Sequence, residues 1–403
     1  MNSVFKILKG DRGIWIVLII LSLFSLLVVY SATGSLAYRH AEGNTFFYLI
    51  RHAGFLFLGY IIIIAIVNYV PINLISILSP LMLLLSFVFI IVALALKGGG
   101  EATGRTFSLG GISFQPAETA KIALVWFVAK LLANNQDKEN VPSRRIFFWI
   151  LGITTVVSFA ILLADFSTAA LLFATIMVMM FVGRIKIKYL ASTIGGGILV
   201  LVLFYFMASA IDMGRFGTFK GRLDRYIFGD PSSEIGMTQA DFAEMAIYHG
   251  GRLGAGPGGS EVRNHMAAAY NDFIFSILVE EYGWISFIVV LCFIIFASRA
   301  AIIVNQSKRT FPAFMVVGLS SLIVLQAMIN MGVSVGLLPV TGQTLPWVSM
   351  GGTSTLFTAV SIGCILRVSY LNKVEKMNQN ASVNDVEKIP DEDHSFAQVG
   401  SID

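Results

Sequence analysis

Residues 14–32 read IWIVLIILSLFSLLVVYSA, an apolar run without a charged side chain. A helix rises 1.5 Å per residue, so this run is long enough to cross a hydrocarbon core of about 30 Å. It is long for the apolar core of a signal peptide, and many more apolar runs follow it along the chain. The stretch therefore predicts a first membrane-spanning helix rather than a cleaved leader.

Nine further runs of similar character follow the first one. They cover residues 50–70, 73–96, 117–133, 146–163, 168–183, 189–211, 272–298, 312–336 and 353–371. Of the 403 residues, 56% are hydrophobic and only 13% are charged, as in chains built mainly from apolar spans. The sequence thus predicts an all-α polytopic membrane protein with about ten transmembrane helices.

The distribution of Lys and Arg predicts the orientation of these spans, because short cytoplasmic loops carry an excess of basic residues. With the N-terminus inside, the short outer loops hold only Arg39, Lys97 and Arg105. The inner segments then hold a much larger set: Lys6, Lys9, Arg12, Lys138, Arg144, Arg145, Arg184, Lys186, Lys188, Arg299, Lys308, Arg309, Arg367, Lys373 and Lys376. Both termini are therefore expected in the cytoplasm. The basic residues lie in short loops rather than in one patch, which argues against a nucleic-acid-binding surface.

This orientation places the polar loop 212–271, between the seventh and eighth spans, outside the membrane. Within it, residues 239–249 are predicted to form a short helix, and residues 250–260 are rich in glycine. The glycines favour a structural turn over a phosphate-binding loop, because the strand–loop–helix context of such a loop is missing. The acidic tail 377–403 has too little apolar surface to fold alone and is predicted to be disordered in the cytoplasm. Residues 1–376 form the predicted membrane domain.

Asp272 stands where the outer loop meets the eighth span, in the stretch YNDFIFS of residues 270–276. Carboxylates close to the bilayer cost free energy, so a functional role is the default hypothesis. On a helix that begins at Asp272, Glu280 would lie about 80° away around the axis and Glu281 on the opposite side. The alternative role for Asp272 is an N-cap, which Asn271 could also fill.

The stretch QPAETAK of residues 115–121 opens the fourth span, with Pro116 suited to a first helical turn. Glu118 and Lys121 are three residues apart and share a helix face. Two interpretations remain open, an internal ion pair at a helix start and a charged wall of a polar cavity. Asp165, in the short turn before the sixth span, is of a type that most often caps a helix.

Residues 336–354 read GLLPVTGQTLPWVSMGGTS, with two prolines, paired glycines and several hydroxyls. Such a segment cannot continue a lipid-facing helix, and irregular backbone at membrane depth is tolerated only where protein or water covers it. The segment is predicted to re-enter the membrane and line a cavity. The two cysteines, Cys292 and Cys364, lie in apolar runs and indicate neither a disulfide framework nor a metal site.

Together these patterns resemble the SEDS family of cell-wall proteins, whose members include FtsW, RodA and SpoVE. The family motifs run Gln-Pro-Ser/Ala-Glu-x-x-Lys, Asp-x-Gly-Thr, a glycine-rich outer loop ending in Thr-Asp-Phe-Ile-Phe, and Thr-Gly-x-x-Leu-Pro-Phe-x-Ser-Tyr-Gly-Gly-Ser-Ser. Their order and spacing match nearly the whole chain apart from the tail. The chain departs from the usual residues at Ser167, Tyr270-Asn271, Trp347, Met350 and Thr353, but the acid, the lysine and the prolines are intact. The QPAE motif and the stretch VYSA of residues 29–32 look more like FtsW than RodA.

The resemblance implies a glycosyltransferase that joins lipid II units into glycan strands outside the plasma (inner) membrane and releases undecaprenyl pyrophosphate. Asp272 would be the general base for the acceptor hydroxyl. Lys121 and Arg105 would receive the charge of the leaving pyrophosphate, with Glu118 holding Lys121 in place. The resemblance implies four further substrate-binding residues: Gln239, which keeps the Gln of the family's usual Tyr-Gln pair, and Thr341, Pro346 and Ser349 of the last motif.

The same resemblance implies several partners, namely a class B penicillin-binding protein, other division proteins and membrane lipids. A divalent cation such as Mg²⁺ or Mn²⁺ is compatible with Asp272 and a pyrophosphate, but no cluster of ligands in the sequence requires one. The alternatives are a lipid II flippase, an elongation polymerase of the RodA type and a division scaffold without catalysis. A flippase would carry acids and bases through the depth of the membrane, whereas the conspicuous ones here cluster on the outer side.

Overall fold

The computed structural model of the protein describes residues 8–34, 36–37, 44–96, 107–109, 112–136, 144–210, 214–228, 237–266 and 269–386. Thirteen α-helices and two short strands make up this part of the chain. They are α1 (Arg12–Ala32), α2 (Thr45–Tyr69), α3 (Ile72–Ala95), β1 (Phe107–Leu109), β2 (Ile112–Phe114), α4 (Pro116–Asn134), α5 (Arg144–Leu162), α6 (Phe166–Val182), α7 (Ile187–Ala210), α8 (Gly214–Phe228), α9 (Gln239–Gly250), α10 (Ile274–Tyr282), α11 (Phe287–Gln306), α12 (Thr310–Ser334) and α13 (Thr353–Val386).

The protein is a helical multi-pass membrane protein, as predicted. Among the residues described, seven segments are long and apolar enough to cross a membrane: α1, α2, α3, α5, the α10–α11 pair, α12 and α13. The helices α6 and α7 contribute two shorter apolar stretches. The helix α4 has 19 residues and carries Glu118 and Lys121 near its start. Each of the ten predicted spans thus has a helical counterpart, and α8 and α9 lie in the long loop between the seventh and the eighth.

A two-stranded antiparallel sheet departs from the predicted all-α architecture. β1 pairs with β2 so that Phe107 lies opposite Phe114 and Leu109 opposite Ile112. The sequence FSLGGISF of residues 107–114 explains the pairing, because apolar and polar residues alternate on either side of two glycines. This hairpin leads into α4 through Gln115.

The helices α4 and α12 occupy the middle of the bundle and pack against each other. The apolar window of α12 is 67% buried, the largest share among the seven long spans. It nevertheless carries two buried amides, Gln326 and Asn330, four residues apart and hence on one face. Polar side chains in such a helix form hydrogen bonds inside the protein, and both amides donate to residues that line the candidate site.

The glutamates of α10 hold the outer loop against the bundle and do not face Asp272. The Glu280 side chain accepts hydrogen bonds from the Ser260 hydroxyl and from the backbone N–H of Glu261, at 3.3 Å. The Glu281 side chain accepts a hydrogen bond from Ser31 of α1. The helical arrangement predicted for Asp272, Glu280 and Glu281 is therefore wrong, because α10 begins only at Ile274.

The glycine-rich stretch of the outer loop is a structural turn. The backbone N–H groups of Ala255 and Gly256 donate to the carbonyl groups of Glu280 and Glu281, at 2.8 and 3.0 Å. Gly254 has a φ of +77°, a conformation that side chains with a Cβ rarely adopt. These backbone N–H groups already donate to α10 and cannot also bind a phosphate. The prediction that the glycine-rich stretch forms a structural turn is therefore confirmed.

Replacing Gly250 by Ala is expected to lower the free energy of unfolding by about 1–3 kcal/mol, because this glycine brings α9 onto the backbone of α10. An added Cβ would lie 2.7 Å from Glu280 Cα, which is backbone and cannot rotate away. The measurement is thermal unfolding in detergent. Gly196→Ala in α7 is the control, since among the described residues no atom beyond its neighbours in the helix lies within 4 Å of its Cβ position, and Ala is the better helix former by about 1 kcal/mol. Equal stability of the two variants would contradict this packing.

An ion pair ties α1 to α11 at the end of the bundle where α1 begins. Asp11 caps α1 by accepting from the Ile14 backbone N–H at 3.1 Å, and it also accepts from Arg299 Nε of α11 at 3.0 Å. Burial acts to raise the pKa of Asp11, but the hydrogen bonds from Arg299 and Ile14 outweigh it and hold the pKa below its usual value. Lys373 of α13 donates to the Gly10 carbonyl nearby.

The last helix is longer than predicted. α13 continues to Val386, ten residues past the point at which the tail was expected to begin, so residues 377–386 are helical rather than disordered. Arg309 Nε lies 3.3 Å from Glu375 Oε1, and this ion pair supports the helix just before that extension. Residues 387–403 of the predicted tail lie outside the described residues.

An apolar groove of about 790 Å³ lies between α3, α4 and α5. Its walls include Pro80, Phe127, Phe148 and Trp149, and Arg145 stands at its edge. Among the residues that the structure describes, none lines both this groove and the polar cavity of the candidate site. The groove is therefore a separate feature of the surface that faces lipid.

Candidate active site

The segment between α12 and α13 is irregular yet buried. We call residues 335–352 the re-entrant loop. Leu345, Trp347 and Val348 are each at most 2% exposed although none of them is helical. Buried backbone must find hydrogen bonds inside the protein. The Ser349 hydroxyl supplies two of them, accepting from the Leu345 N–H at 2.8 Å and donating to the Asn271 carbonyl at 2.7 Å.

Trp347 anchors the re-entrant loop to the first two helices. Its indole N–H donates to the Ser22 hydroxyl at 2.8 Å, and its ring meets Tyr60 edge to face at 5.5 Å between centroids. Its φ is +67°, an unusual value for a residue with a bulky side chain. Such a conformation persists only where the surroundings hold it, and here Ser22, Tyr60 and Gly59 enclose the ring.

The re-entrant loop forms one wall of a polar cavity of about 340 Å³. The described residues of the cavity wall are Arg51, His52, Phe55, Gln115, Glu118, Asp165, Thr168, Tyr270, Asn271, Asp272, Gly342, Gln343, Thr344, Met350, Gly351, Gly352 and Ser354. The prediction that this loop lines a cavity is confirmed. Among the described residues, this pocket within a membrane domain holds three carboxylates and one arginine, which makes it the candidate functional site.

Asp272 lies in the cavity wall just before α10. The cap position of α10 belongs to Phe273, so neither Asp272 nor Asn271 fills the capping role considered for them. Asn330 of α12 holds the backbone here by donating to the Asp272 carbonyl at 2.8 Å and to the Gln343 carbonyl at 2.7 Å. Gly342, with a φ of +71°, lies against the carboxylate, since a Cβ built there would be 3.5 Å from Asp272 Oδ2.

Tyr270 contributes a phenol to the same wall. Burial raises the pKa of Tyr270 above its usual value, and the negative charge of Asp272 raises it further. The hydroxyl therefore stays protonated at neutral pH and can donate a hydrogen bond. The Tyr270 carbonyl accepts from the Met350 N–H at 3.2 Å, a further tie between the segment before α10 and the re-entrant loop.

Glu118 and Lys121 form the predicted ion pair, and the pair also belongs to the cavity wall. Lys121 Nζ lies 2.8 Å from Glu118 Oε1 and donates to Gln326 Oε1 at 3.2 Å. Gln326 in turn donates to the carbonyl and the hydroxyl of Thr344, at 3.0 and 3.1 Å. Glu118 lines the cavity, whereas Lys121 is 1% exposed and lies behind it. The motif is thus both an ion pair at a helix start and, through Glu118, a charged part of the wall of a polar cavity.

Asp165 has the predicted role of an N-cap. Its Oδ1 accepts from the backbone N–H groups of Ser167 and Thr168 at the start of α6, at 3.0 and 3.3 Å. It lines the cavity as well, a position that its sequence context did not indicate. Beside it, the Thr168 hydroxyl accepts from Gln343 Nε2 at 2.9 Å, which joins α6 to the re-entrant loop.

The remaining predicted substrate-binding residues lie at different distances from the cavity. Thr341 is half-buried next to Gly342, while Pro346 and Ser349 are buried inside the re-entrant loop. Gln239 begins α9 in the outer loop and is not part of the cavity wall. Arg105 lies outside the described residues.

Sequence reasoning missed several residues of the site. Arg51 and His52 stand side by side at the start of an apolar span, a signal that was present in the sequence. Gln326 and Asn330 were detectable as two amides on one face of an apolar helix. Gln343 had no such signal, because its contact with Thr168 spans 175 residues.

The residues that could contribute to a metal site are the carboxylates of the cavity. Across the described part of the chain, no three His, Cys, Asp or Glu side chains group closely enough to hold a metal ion. A divalent cation at Asp272 would thus take most of its oxygen ligands from water or from a bound phosphate.

The comparisons with known proteins agree with the fold. The family of cell cycle proteins that comprises FtsW, RodA and SpoVE matches residues 11–374. A probable peptidoglycan glycosyltransferase FtsW of Aliivibrio salmonicida is 28% identical over 381 residues, 93% of this chain and 92% of the relative. A protein of the same name from Nitrosococcus halophilus is 34% identical over 311 residues, 74% of this chain and 77% of the relative.

Two solved structures share the architecture. A chain of a peptidoglycan synthase complex that coordinates polymerisation and crosslinking has a TM-score of 0.69 at 21% identity, covering 90% of this chain and 98% of its own. The rod shape determining protein RodA of Thermus thermophilus has a TM-score of 0.63 at 20% identity, covering 89% of this chain and 96% of its own. The family match, which spans all ten predicted membrane helices, shows that the chain belongs to the FtsW, RodA and SpoVE family of cell cycle proteins.

Proposed function

We propose that this protein is a peptidoglycan glycosyltransferase that polymerises lipid II at the outer face of the plasma membrane during cell division. The observation that carries the proposal is the polar cavity, in which the Asp272 carboxylate lies within a membrane domain. The names of the curated relatives support the reaction and the FtsW branch. With both termini in the cytoplasm, the cavity opens on the outer side, where Asp272 follows the large loop.

The proposed step forms one glycosidic bond and breaks one sugar–phosphate bond. The 4-hydroxyl of the acceptor sugar attacks the anomeric carbon of the donor, and undecaprenyl pyrophosphate leaves. Asp272 takes the hydroxyl proton as general base, because an alcohol is a poor nucleophile until it is deprotonated. The network from Asn330 and Ser349 fixes the backbone of Asn271 and Asp272, so that the base is held in place before substrate binds.

The departing pyrophosphate gathers negative charge and needs a cation nearby. Among the described residues that line the cavity, Arg51 is the one Lys or Arg, and it is exposed. Lys121 acts from behind Glu118, as part of a buried pair rather than as a direct ligand. Arg105 remains a candidate from the sequence, together with Gln239, Thr341, Pro346 and Ser349.

The proposed partners follow from the same activity. A class B penicillin-binding protein would crosslink the strands, in keeping with the fold shared with a chain of a complex that both polymerises and crosslinks. The other proposed partners are lipid II, the growing glycan strand and other division proteins. Asp272 and the substrate pyrophosphate would together hold a divalent cation such as Mg²⁺ or Mn²⁺.

The experiment is polymerisation of lipid II by the purified protein, with and without a class B penicillin-binding protein whose transpeptidase is blocked. Glycan strands are expected from the wild type. The absence of strands, combined with lipid II scrambling across liposomes, would overturn the proposal in favour of a flippase.

A further inference from the structure

His52 of α2 is buried in the wall of the polar cavity, with only 1% of its surface exposed. One of its ring nitrogens, Nε2, lies 2.6 Å from the Ser25 hydroxyl of α1. The other, Nδ1, is buried without a hydrogen-bond partner among the residues that the structure describes. Buried polar atoms rarely stay unpaired, so the function of Nδ1 needs an explanation.

The contacts of Ser25 determine which nitrogen of His52 carries the proton. The Ser25 hydroxyl donates to the Val348 carbonyl at 2.7 Å. A hydroxyl has one proton, and a carbonyl can only accept, so Ser25 must accept from His52 Nε2–H. In a neutral imidazole the second nitrogen is then an acceptor with a free lone pair. The arrangement of Ser25 and Val348 thus fixes Nδ1 as an acceptor on a side chain that belongs to the cavity wall.

We propose that His52 Nδ1 is a substrate-binding acceptor for a hydroxyl or acetamido N–H of the lipid II disaccharide, with Ser25 as the residue that sets its tautomer. The identity of the ligand rests on the proposed function. The cavity wall is rich in acceptors with a negative charge, namely Glu118, Asp165 and Asp272. His52 adds a neutral acceptor, which suits an uncharged sugar donor.

Variants of His52 separate substrate binding from packing. His52→Leu keeps an apolar side chain of moderate size but has no acceptor, and it is expected to raise KM for lipid II about tenfold with kcat little changed. His52→Gln carries an amide N–H₂ that can reach Ser25 and an oxygen that can accept in the cavity, so it is expected to restore KM to within about threefold. An unchanged KM in a folded His52→Leu variant would overturn the proposal.

Ser25→Ala tests the positioning role. Without the hydroxyl, Nε2 loses its acceptor and the ring is free to take either tautomer. The ¹⁵N spectrum of histidine-labelled protein is expected to show Nδ1 unprotonated in the wild type and a mixture of tautomers in the variant. A protonated Nδ1 in the wild type would contradict the assignment, whatever the activity of the variants.

The decisive experiment uses the wild type alone, so that it does not depend on how well a variant folds. Detergent-solubilised, ¹⁵N-histidine-labelled protein is titrated with a short-chain, water-soluble lipid II. We expect the Nδ1 resonance of His52 to shift with saturation as it accepts a hydrogen bond, and the His249 resonances of the outer loop to stay in place. Saturable binding without a shift at His52 would overturn the inference. Binding with the shift but without polymerisation would retain the inference and overturn the proposed function.

Discussion

Asp272→Asn is expected to lower lipid II polymerisation by about 10²- to 10⁴-fold, the range that general base catalysis contributes. Asn has nearly the same shape but cannot accept the hydroxyl proton. The contact that Asn330 makes here goes to the backbone carbonyl of Asp272, and the contact of Ser349 goes to that of Asn271. The substitution leaves both bonds in place, so the variant should fold and insert like the wild type. Strand formation by purified protein measures the loss.

A carboxylate of the outer loop provides the matched control. Asp241 in α9 accepts from the Thr238 N–H at 2.7 Å and does not line the cavity. Asp241→Asn weakens a helix cap, which costs about 1 kcal/mol of stability, and should leave polymerisation per folded molecule within about twofold. If Asp272→Asn polymerised lipid II as fast as Asp241→Asn, Asp272 would not be the base.

Local patterns in the sequence predicted the parts of this site that depend on neighbours in the chain. The Asp165 cap acts over two or three residues, and the Glu118–Lys121 pair over one helical turn, so spacing alone indicated both. The apolar runs likewise predicted the membrane helices, because length and composition suffice to cross a bilayer. The irregular, proline-rich composition of the re-entrant loop predicted that it lines a cavity.

The geometry of Asp272 could not be predicted in the same way. An acid at the start of an apolar run was expected to lie on the helix, with Glu280 near its face. Instead, the amide of Asn330, 58 residues away, and the hydroxyl of Ser349, 78 residues from Asn271, hold this backbone outside α10. Contacts of such separation depend on how whole helices pack.

The placement of His52 depends on even more distant contacts. Its partner Ser25 is 27 residues away, and the Val348 carbonyl that orients Ser25 is 323 residues from it. Sequence alone could show only that a titratable residue stands in an apolar span. An ionisable residue in a membrane span suggests a functional site by default, and the adjacent residues Arg51 and His52 gave that indication in the sequence.

Breaking the Glu118–Lys121 pair is expected to produce the largest loss of stability. Lys121→Met leaves Glu118 without its cation in the wall of a membrane cavity, and Gln326 loses the donor at 3.2 Å. Removing one partner of a buried pair typically costs about 3–5 kcal/mol. We expect the lower part of that range for Lys121→Met, because Glu118 keeps 11% of its side chain exposed. Glu118→Gln leaves the Lys121 ammonium, whose side chain is only 2% exposed, without its carboxylate. This variant should therefore lose more stability than Lys121→Met. Thermal unfolding in detergent measures both.

The double variant Glu118→Gln, Lys121→Met distinguishes structure from chemistry. Removing both charges together avoids an unpaired ion, so stability should recover by at least half. If the pair only supports the fold, polymerisation recovers in parallel. We expect it to stay at least tenfold low, because the double variant still lacks Lys121, the buried cation behind the wall where the pyrophosphate leaves. Asp11→Asn, which breaks the ion pair with Arg299 at the opposite end of α11 from the cavity, is the control and should lower stability but not polymerisation per folded molecule. Full recovery of polymerisation in the double variant would assign the pair a purely structural role.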